Sequence, residues 1–170
     1  MVALMAAPAD IAAFLKSVKL FREFTDSELL AFAGRLEERN LKPRQVLFRE
    51  GDPGEEMFVV RKGTSIISKV VSGRIEQVLA RAEAGDFFGE MSLFDRSPRS
   101  ATIQAETDVA LYVLDREHLH LLIEVNPRAA AAFFRSLVYV FIERLRASGE
   151  LVAEITRWGL EATGLDMESR

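Results

Sequence analysis

Residues 88–104 read FGEMSLFDRSPRSATIQ. A glycine, an acid and an apolar run are followed by a proline, an arginine and the start of an alternating segment. Gly89 allows a sharp turn, and the N–H groups of Glu90, Met91 and Ser92 then open a short helix without partners inside it. Such a start combines free donors with the positive end of the peptide dipole, a setting suited to an anion. Phe87, Leu93 and Phe94 anchor the turn in the core, and Pro98 sets the backbone ahead of a strand whose first residue is Arg99. A guanidinium fork fits two oxygens of one phosphate. One cation and one helix start match the single charge of a phosphate diester. Glu90 is out of place there unless the ligand carries a sugar, whose 2′-hydroxyl can donate to the carboxylate. Phosphate and free 2′-hydroxyl together describe a 3′,5′-cyclic nucleotide. The plainer alternative is an exposed Glu90–Arg99 ion pair, worth roughly 0–1 kcal/mol.

Around this stretch the texture is that of an antiparallel sheet protein. VLF (46–48) ends at GDPG (51–54), MFVV (57–60) at Lys62-Gly63, and SIISKVV (65–71) at Ser72-Gly73. IEQVLA (75–80) runs into Ala84-Gly85-Asp86, SATIQA (100–105) into Glu106, and VALYVL (109–114) meets Asp115. Turn signals about every eight to twelve residues predict a sandwich or barrel, interrupted by the helical fragment FGEMSLF. Glu50, Glu55 and Glu56 beside GDPG read as solvated charges flanking a turn.

Helices flank the strands. From about Ile11 to Glu38 the pattern is helical, with a break at 22–25. Thr25-Asp-Ser-Glu28 is a capping box, with Phe24 and Leu29 placed for a hydrophobic staple. Asp115 caps a short helix over Arg116 to Glu124. Asn126-Pro127 then opens a long one, with proline at the first helical position where its missing N–H costs nothing. That helix runs to about Trp158, roughly 45 Å at 1.5 Å per residue. Phe134, Val138, Phe141, Leu145, Ser148, Val152 and Ile155 form a heptad seam. The first part of the seam suits packing on the chain's own sheet, and beyond Leu145 a second copy of the helix becomes the better partner. A two-fold homodimer is the expected arrangement. Ser148 places a hydroxyl within the apolar seam, and Trp158 reads as part of the same packing surface.

Bulk composition limits the functions available. A net charge of −4 with both signs interspersed argues against nonspecific nucleic-acid binding. No cysteine is present, which excludes disulfides, thiolate nucleophiles and cysteine-ligated metals. The Ala-rich start lacks a basic region and is broken by Asp10, so a signal peptide is not expected, and no segment reads as a membrane span. A cytoplasmic protein follows. His118 and His120 lie on different faces of their helix, so no metal site is expected, and no nucleotide-loop, nucleophile-elbow or zincin motif appears. The expectation is a binding module and not an enzyme.

The run FGEMSLFDRSPRSATIQA resembles the phosphate-binding cassette of cyclic-nucleotide-binding domains, found in bacterial catabolite activators, regulatory subunits of cAMP-dependent protein kinase and cyclic-nucleotide-gated channels. The similarity extends over about Leu20 to Val152, through FREGDPGEEMFVVRKG, AGDFFGE and ERLRASGEL. It implies an α+β fold, a jelly-roll-like antiparallel β-roll of about eight strands flanked by N-terminal helices and a long C-terminal helix. One domain over 1–170 is implied, with helices at 10–40, the roll at 41–115, the cassette at 85–105 and the last helices at 116–160.

The same resemblance implies that Gly89, Glu90, Met91 and Ser92 hold ribose and phosphate, with Arg99, Ser100 and Ala101 at the phosphate. Ile67 and Leu79 then lie near base and sugar, and Arg144 and Ser148 on the long helix near the ligand. Serine after the cassette arginine, as in the catabolite activators, points to cAMP, with cGMP the alternative ligand. Only GLEATGLDMESR follows Trp158, short of the roughly 20 residues that two helices and a turn need. No DNA-binding module is expected, and the output passes to an unidentified partner protein. A ligand-free interaction scaffold on the same fold is the alternative function.

Overall fold

The computed structural model describes residues 7–72, 75–95 and 97–163. The chain divides into two compact units, residues 1–133 and 134–170.

The first unit begins with α1 (Pro8–Leu15), a 3-10 turn (Lys19–Phe21) and α2 (Asp26–Ala33). The capping box forms as expected. The hydroxyl of Thr25 accepts from the Glu28 N–H at 3.3 Å, and the Glu28 carboxylate accepts from the Thr25 N–H at 2.8 Å. Phe24 and Leu29 are both buried beside it.

Among the described residues, eight strands follow: β1 (Glu37–Leu41), β2 (Val46–Phe48), β3 (Glu56–Lys62), β4 (Ser65–Ser72), β5 (Ile75–Ala82), β6 (Phe87–Phe88), β7 (Thr102–Ala105) and β8 (Val109–Asp115). They form two antiparallel four-stranded sheets, ordered β1-β8-β3-β6 and β2-β7-β4-β5. α3 (Arg116–Val125) and α4 (Pro127–Thr163) complete the chain.

The inner faces of the sheets meet in one core. Phe58, Val60, Leu111 and Val113 come from one side, and Ile103, Ala105 and Ala82 from the other. Residues two apart share a face of a strand, so Met57, Val59, Tyr112 and Leu114 point the opposite way. They are buried as well, and the ring of Phe14 on α1 lies 5.7 Å from that of Tyr112. Burial on both faces explains why β3 and β8 read as unbroken apolar runs and do not alternate. A second cluster joins the helices: the ring of Phe32 lies 4.7 Å from Phe21 and 5.1 Å from Phe133 at the start of α4. Fully burying such a side chain contributes roughly 1.5–3 kcal/mol.

Two local expectations are corrected. The helical zone does not reach Glu38, because α2 ends at Ala33 and β1 begins at Glu37. β1 is a sheet edge whose EERNL sequence carries one apolar residue, so it lacks the period-two pattern that marks a half-buried strand. Phe94 does not anchor the cassette turn and is exposed, while Phe87 and Leu93 are buried.

The second unit comprises α4 from Phe134 onward. Along it Val138, Leu145, Val152, Ile155 and Trp158 are all exposed, Leu145 at 75%. Among the described residues, no helix is long and apolar enough to cross a membrane.

Candidate functional site

The cassette turn is built on Gly89, whose backbone adopts φ 77°, ψ 7° in the left-handed region. A side chain there would be strained whatever its size, and it would also collide. A Cβ on Gly89 would lie 2.9 Å from both Arg99 Nη1 and the Glu56 carbonyl oxygen. Residues Glu90–Leu93 form a single 3-10 turn. The tighter i→i+3 pattern closes early, so the N–H of Ser92 donates to the Gly89 carbonyl at 3.2 Å. That amide is spent within the turn, against the expectation that it stands open. Glu90 is 4% exposed and Ser92 is buried, while the Met91 side chain is 58% exposed.

Arg99 comes to this turn from the opposite side. It stands three residues ahead of β7 and is not its first residue. Its backbone pairs with the preceding loop: Arg99 N–H donates to Asp52 O at 2.8 Å, and Gly51 N–H donates to Arg99 O at 2.9 Å. The side chain is 5% exposed. Nη1 donates to the Glu56 carbonyl at 2.8 Å and to Ser92 Oγ at 3.0 Å. Cζ lies 4.1 Å from the ring centre of Phe48 and 5.6 Å from that of Phe58. Gly54 packs so closely that a Cβ on it would fall 2.2 Å from Nε. Nε itself is buried without a hydrogen-bond partner. Among the described residues, Arg99 forms no ion pair with a carboxylate.

Burial lowers the pKa of Arg99 from its ordinary value, with Glu56 pulling the other way, Arg39 adding to the drop and Asp52 opposing it. An arginine nonetheless keeps its proton in a protein. The site therefore holds a desolvated cation, anchored through one nitrogen and unsatisfied at another. Glu56 does not neutralise it, because its carboxylate is engaged by Arg39 through two hydrogen bonds of 3.0 and 2.6 Å. Glu50 likewise has partners, accepting from the Val70 N–H at 3.0 Å and lying 3.7 Å from Lys69 Nζ. Neither is the free turn charge expected from sequence. Glu55, with a side chain 68% exposed, comes nearest to that description.

A cleft of about 560 Å³ opens beside Arg99, between the β2–β3 loop and the start of α3. Asp52, Glu55, Glu56, Asp115 and Glu117 line it against Arg99 and Arg116. Five carboxylates facing two guanidiniums disfavour an anion by simple repulsion.

The remaining candidates are spread out. Ser100 is exposed and Ala101 half-buried, both directly after the arginine. Ile67 on β4 pairs with Ile103 on β7 and packs against the sheet core. Leu79 is 55% exposed and sits at a bulge, because Ile67 pairs with Ala80 and Ser68 with Val78. Arg144 and Ser148 belong to the second unit, where Ser148 Oγ donates to the Arg144 carbonyl at 2.9 Å.

Comparison with known proteins agrees with this fold. Residues 38–126 match the family model described as a cyclic nucleotide-binding domain. The chain is 36% identical over 106 residues to a cGMP-dependent protein kinase of Toxoplasma gondii, covering 62% of this chain and 10% of the kinase. It is 31% identical over 103 residues to a cAMP-dependent protein kinase regulatory subunit of Pyricularia oryzae, covering 61% of this chain and 26% of that subunit. The chain thus spans only 10% and 26% of these two proteins' length. The crystal structure of the Thermus thermophilus catabolite activator protein superposes with a TM-score of 0.73 at 29% identity, covering 81% of this chain and 63% of that one. With its two antiparallel sheets, flanking helices and cassette arginine, the chain belongs to the cyclic nucleotide-binding domain family.

Proposed function

We propose that this chain is a receptor for a 3′,5′-cyclic nucleotide, cAMP in the first instance, acting by binding and not by turnover. The observation that carries the proposal is the state of Arg99, enclosed, held through Nη1 and unsatisfied at Nε. Burying a charge without a counter-ion is unfavourable, and a cyclic phosphate diester supplies both the opposite charge and the missing acceptor. Gly89, Met91 and Ser92 shape the turn that faces this cation. Glu90, buried at the head of the turn, receives the ribose 2′-hydroxyl. Ser100 and Ala101 flank the phosphate, and Ile67 and Leu79 meet the base and sugar.

Ser100 supports cAMP. The similarity to a cGMP-dependent kinase keeps cGMP as the second reading. A ligand-free scaffold would have no use for a guanidinium that is 5% exposed and paired with no carboxylate among the described residues. We further propose that the exposed seam of α4 pairs with a second copy, and that the signal leaves through a partner protein in the cytoplasm. Calorimetric titration with cAMP and cGMP tests the reading. Saturable one-to-one binding of at least one nucleotide, recovered unchanged by chromatography, is expected. Failure to bind either would overturn it, and conversion of either would make the protein an enzyme.

A further inference from the structure

Glu56 serves two arginines with two different groups. Its main-chain carbonyl accepts from Arg99 Nη1 at 2.8 Å, while its carboxylate accepts from Arg39 Nη1 at 3.0 Å and Nη2 at 2.6 Å. The two guanidiniums stand near one ring: Cζ of Arg39 lies 5.5 Å and Cζ of Arg99 5.6 Å from the centre of Phe58. Arg39 comes from β1 and Glu56 opens β3, strands separated by β8. Asp52 repeats the pattern. Its carbonyl accepts from the Arg99 N–H at 2.8 Å, and its carboxylate accepts from the Arg49 N–H at 2.8 Å. Both acids thus give Arg99 a carbonyl and turn their carboxylates to another donor.

That division matters because an anion site needs an unclaimed cation. A carboxylate within reach of a buried guanidinium pairs with it, since the charge is otherwise left without a counter-ion. Glu56 is placed to do so, its own carbonyl already touching Arg99. Burial is the main cause of the lowered Arg99 pKa, with Glu56 opposing it and Arg39 adding to it, so both charges lie within electrostatic reach of the site. Arg39 offers the carboxylate a better partner. Its fork meets both oxygens at once, the strong bidentate form of a charge-assisted hydrogen bond. The two side chains are only 36% and 31% exposed, and a partly buried pair is screened less than one in open solvent.

Resting on the proposed role of Arg99, we propose that Arg39 is a positioning residue for the anion site: it draws the Glu56 carboxylate away from Arg99 and so reserves that cation for the phosphate of the nucleotide. Without Arg39 the freed carboxylate competes with the ligand for Arg99. Arg39 thus promotes anion binding without touching the anion.

The test is a double-variant cycle in the full chain, with Arg39→Met, Glu56→Gln and the two combined, each titrated calorimetrically with cAMP and cGMP. Arg39→Met should bind about tenfold more weakly, and Glu56→Gln should raise affinity about tenfold more in the Arg39→Met background than in the parent. Were Arg39 a mere prop or a distant charge, the glutamine would change affinity by the same factor in both backgrounds, and that equality would overturn the proposal. So would an Arg39→Met affinity within about twofold of the parent. Arg39→Gln takes the place of the methionine variant in the cycle if the latter does not fold. If the parent binds neither nucleotide, the role of Arg99 falls first. Arg39 is then judged in the unliganded chains by nitrogen-15 NMR of the Arg99 Nε–H group. A shift in Arg39→Met that reverts in the combined variant supports the proposal, and a resonance that stays in place or fails to revert overturns it.

Discussion

The cassette and the last stretch of α4 break the ordinary rule of burial in opposite directions. In the cassette a guanidinium is enclosed, Arg99 at 5% exposure, with no carboxylate paired to it among the described residues. Along α4, Leu145, Val152, Ile155 and Trp158 are left in water. Charged residues are seldom buried unless paired, and an apolar stripe on one face of a helix is normally covered. On the proposed function each region is completed from outside the chain, and the chemistry of what completes it differs. The first calls for a small anion, the second for an apolar surface.

Changing one region at a time separates the two claims. The largest effect is expected at Arg99. Arg99→Ala should weaken cyclic-nucleotide binding by roughly 2–5 kcal/mol, as when one partner of a buried charge pair is removed. Arg99→Met should melt no lower than the parent, because the fold holds this cation against its desolvation. A large loss of stability with unchanged affinity would make Arg99 a structural residue. Next comes the seam. Leu145→Lys should weaken self-association by about 3 kcal/mol, since each chain of a two-fold pair loses one buried leucine. Sedimentation equilibrium measures this, and an unchanged distribution would remove α4 as the pairing surface.

A smaller effect is expected at Gly54, which contributes to the site only by lacking a side chain. Gly54→Ala places a methyl against Arg99 Nε and should cost about 1–3 kcal/mol, as overpacking does. Calorimetry should register it as lost affinity. The smallest effect lies at the cap of α3. Asp115→Ala removes the acceptor of the His118 N–H, a 2.7 Å bond, and should cost about 1 kcal/mol of stability. Burial alone would push the Asp115 pKa up, but the amide and ring of His118 outweigh it and hold the carboxyl below its ordinary value. A depressed folded pKa adds stability above the unfolded value of about 4 and loses it as pH falls through the lower folded value. The gap between parent and variant in urea unfolding should therefore be full at neutral pH and narrow below about pH 4.

What could be read from sequence followed from which atoms do the work. Gly89 and Arg99 stand out in the sequence because their places in the turn rest on the lack of a side chain and on a side chain. The strand pattern was legible for β3 and β8, whose apolar runs mark burial on both faces, and illegible for β1, a polar edge strand. Glu56 was read as a solvated charge because its contribution to the site is a backbone carbonyl, which every residue possesses. The part played by Gly54 was hidden for a related reason: only the packed structure reveals that Arg99 lies against it. Arg39 gave no signal because its partner, the Glu56 carboxylate, lies 17 residues away in sequence. The amide of Ser92 was misjudged because sequence does not distinguish a 3-10 turn from the first turn of an α-helix.

The central claim is that Arg99 Nε awaits a phosphate oxygen. Nitrogen-15 NMR of the arginine Nε–H groups during a cAMP titration tests it at the atom concerned. The Arg99 resonance should shift strongly and its proton should become protected from solvent exchange at one equivalent of nucleotide. A resonance that stays in place and exchanges as before, while calorimetry records saturated binding, would contradict the account.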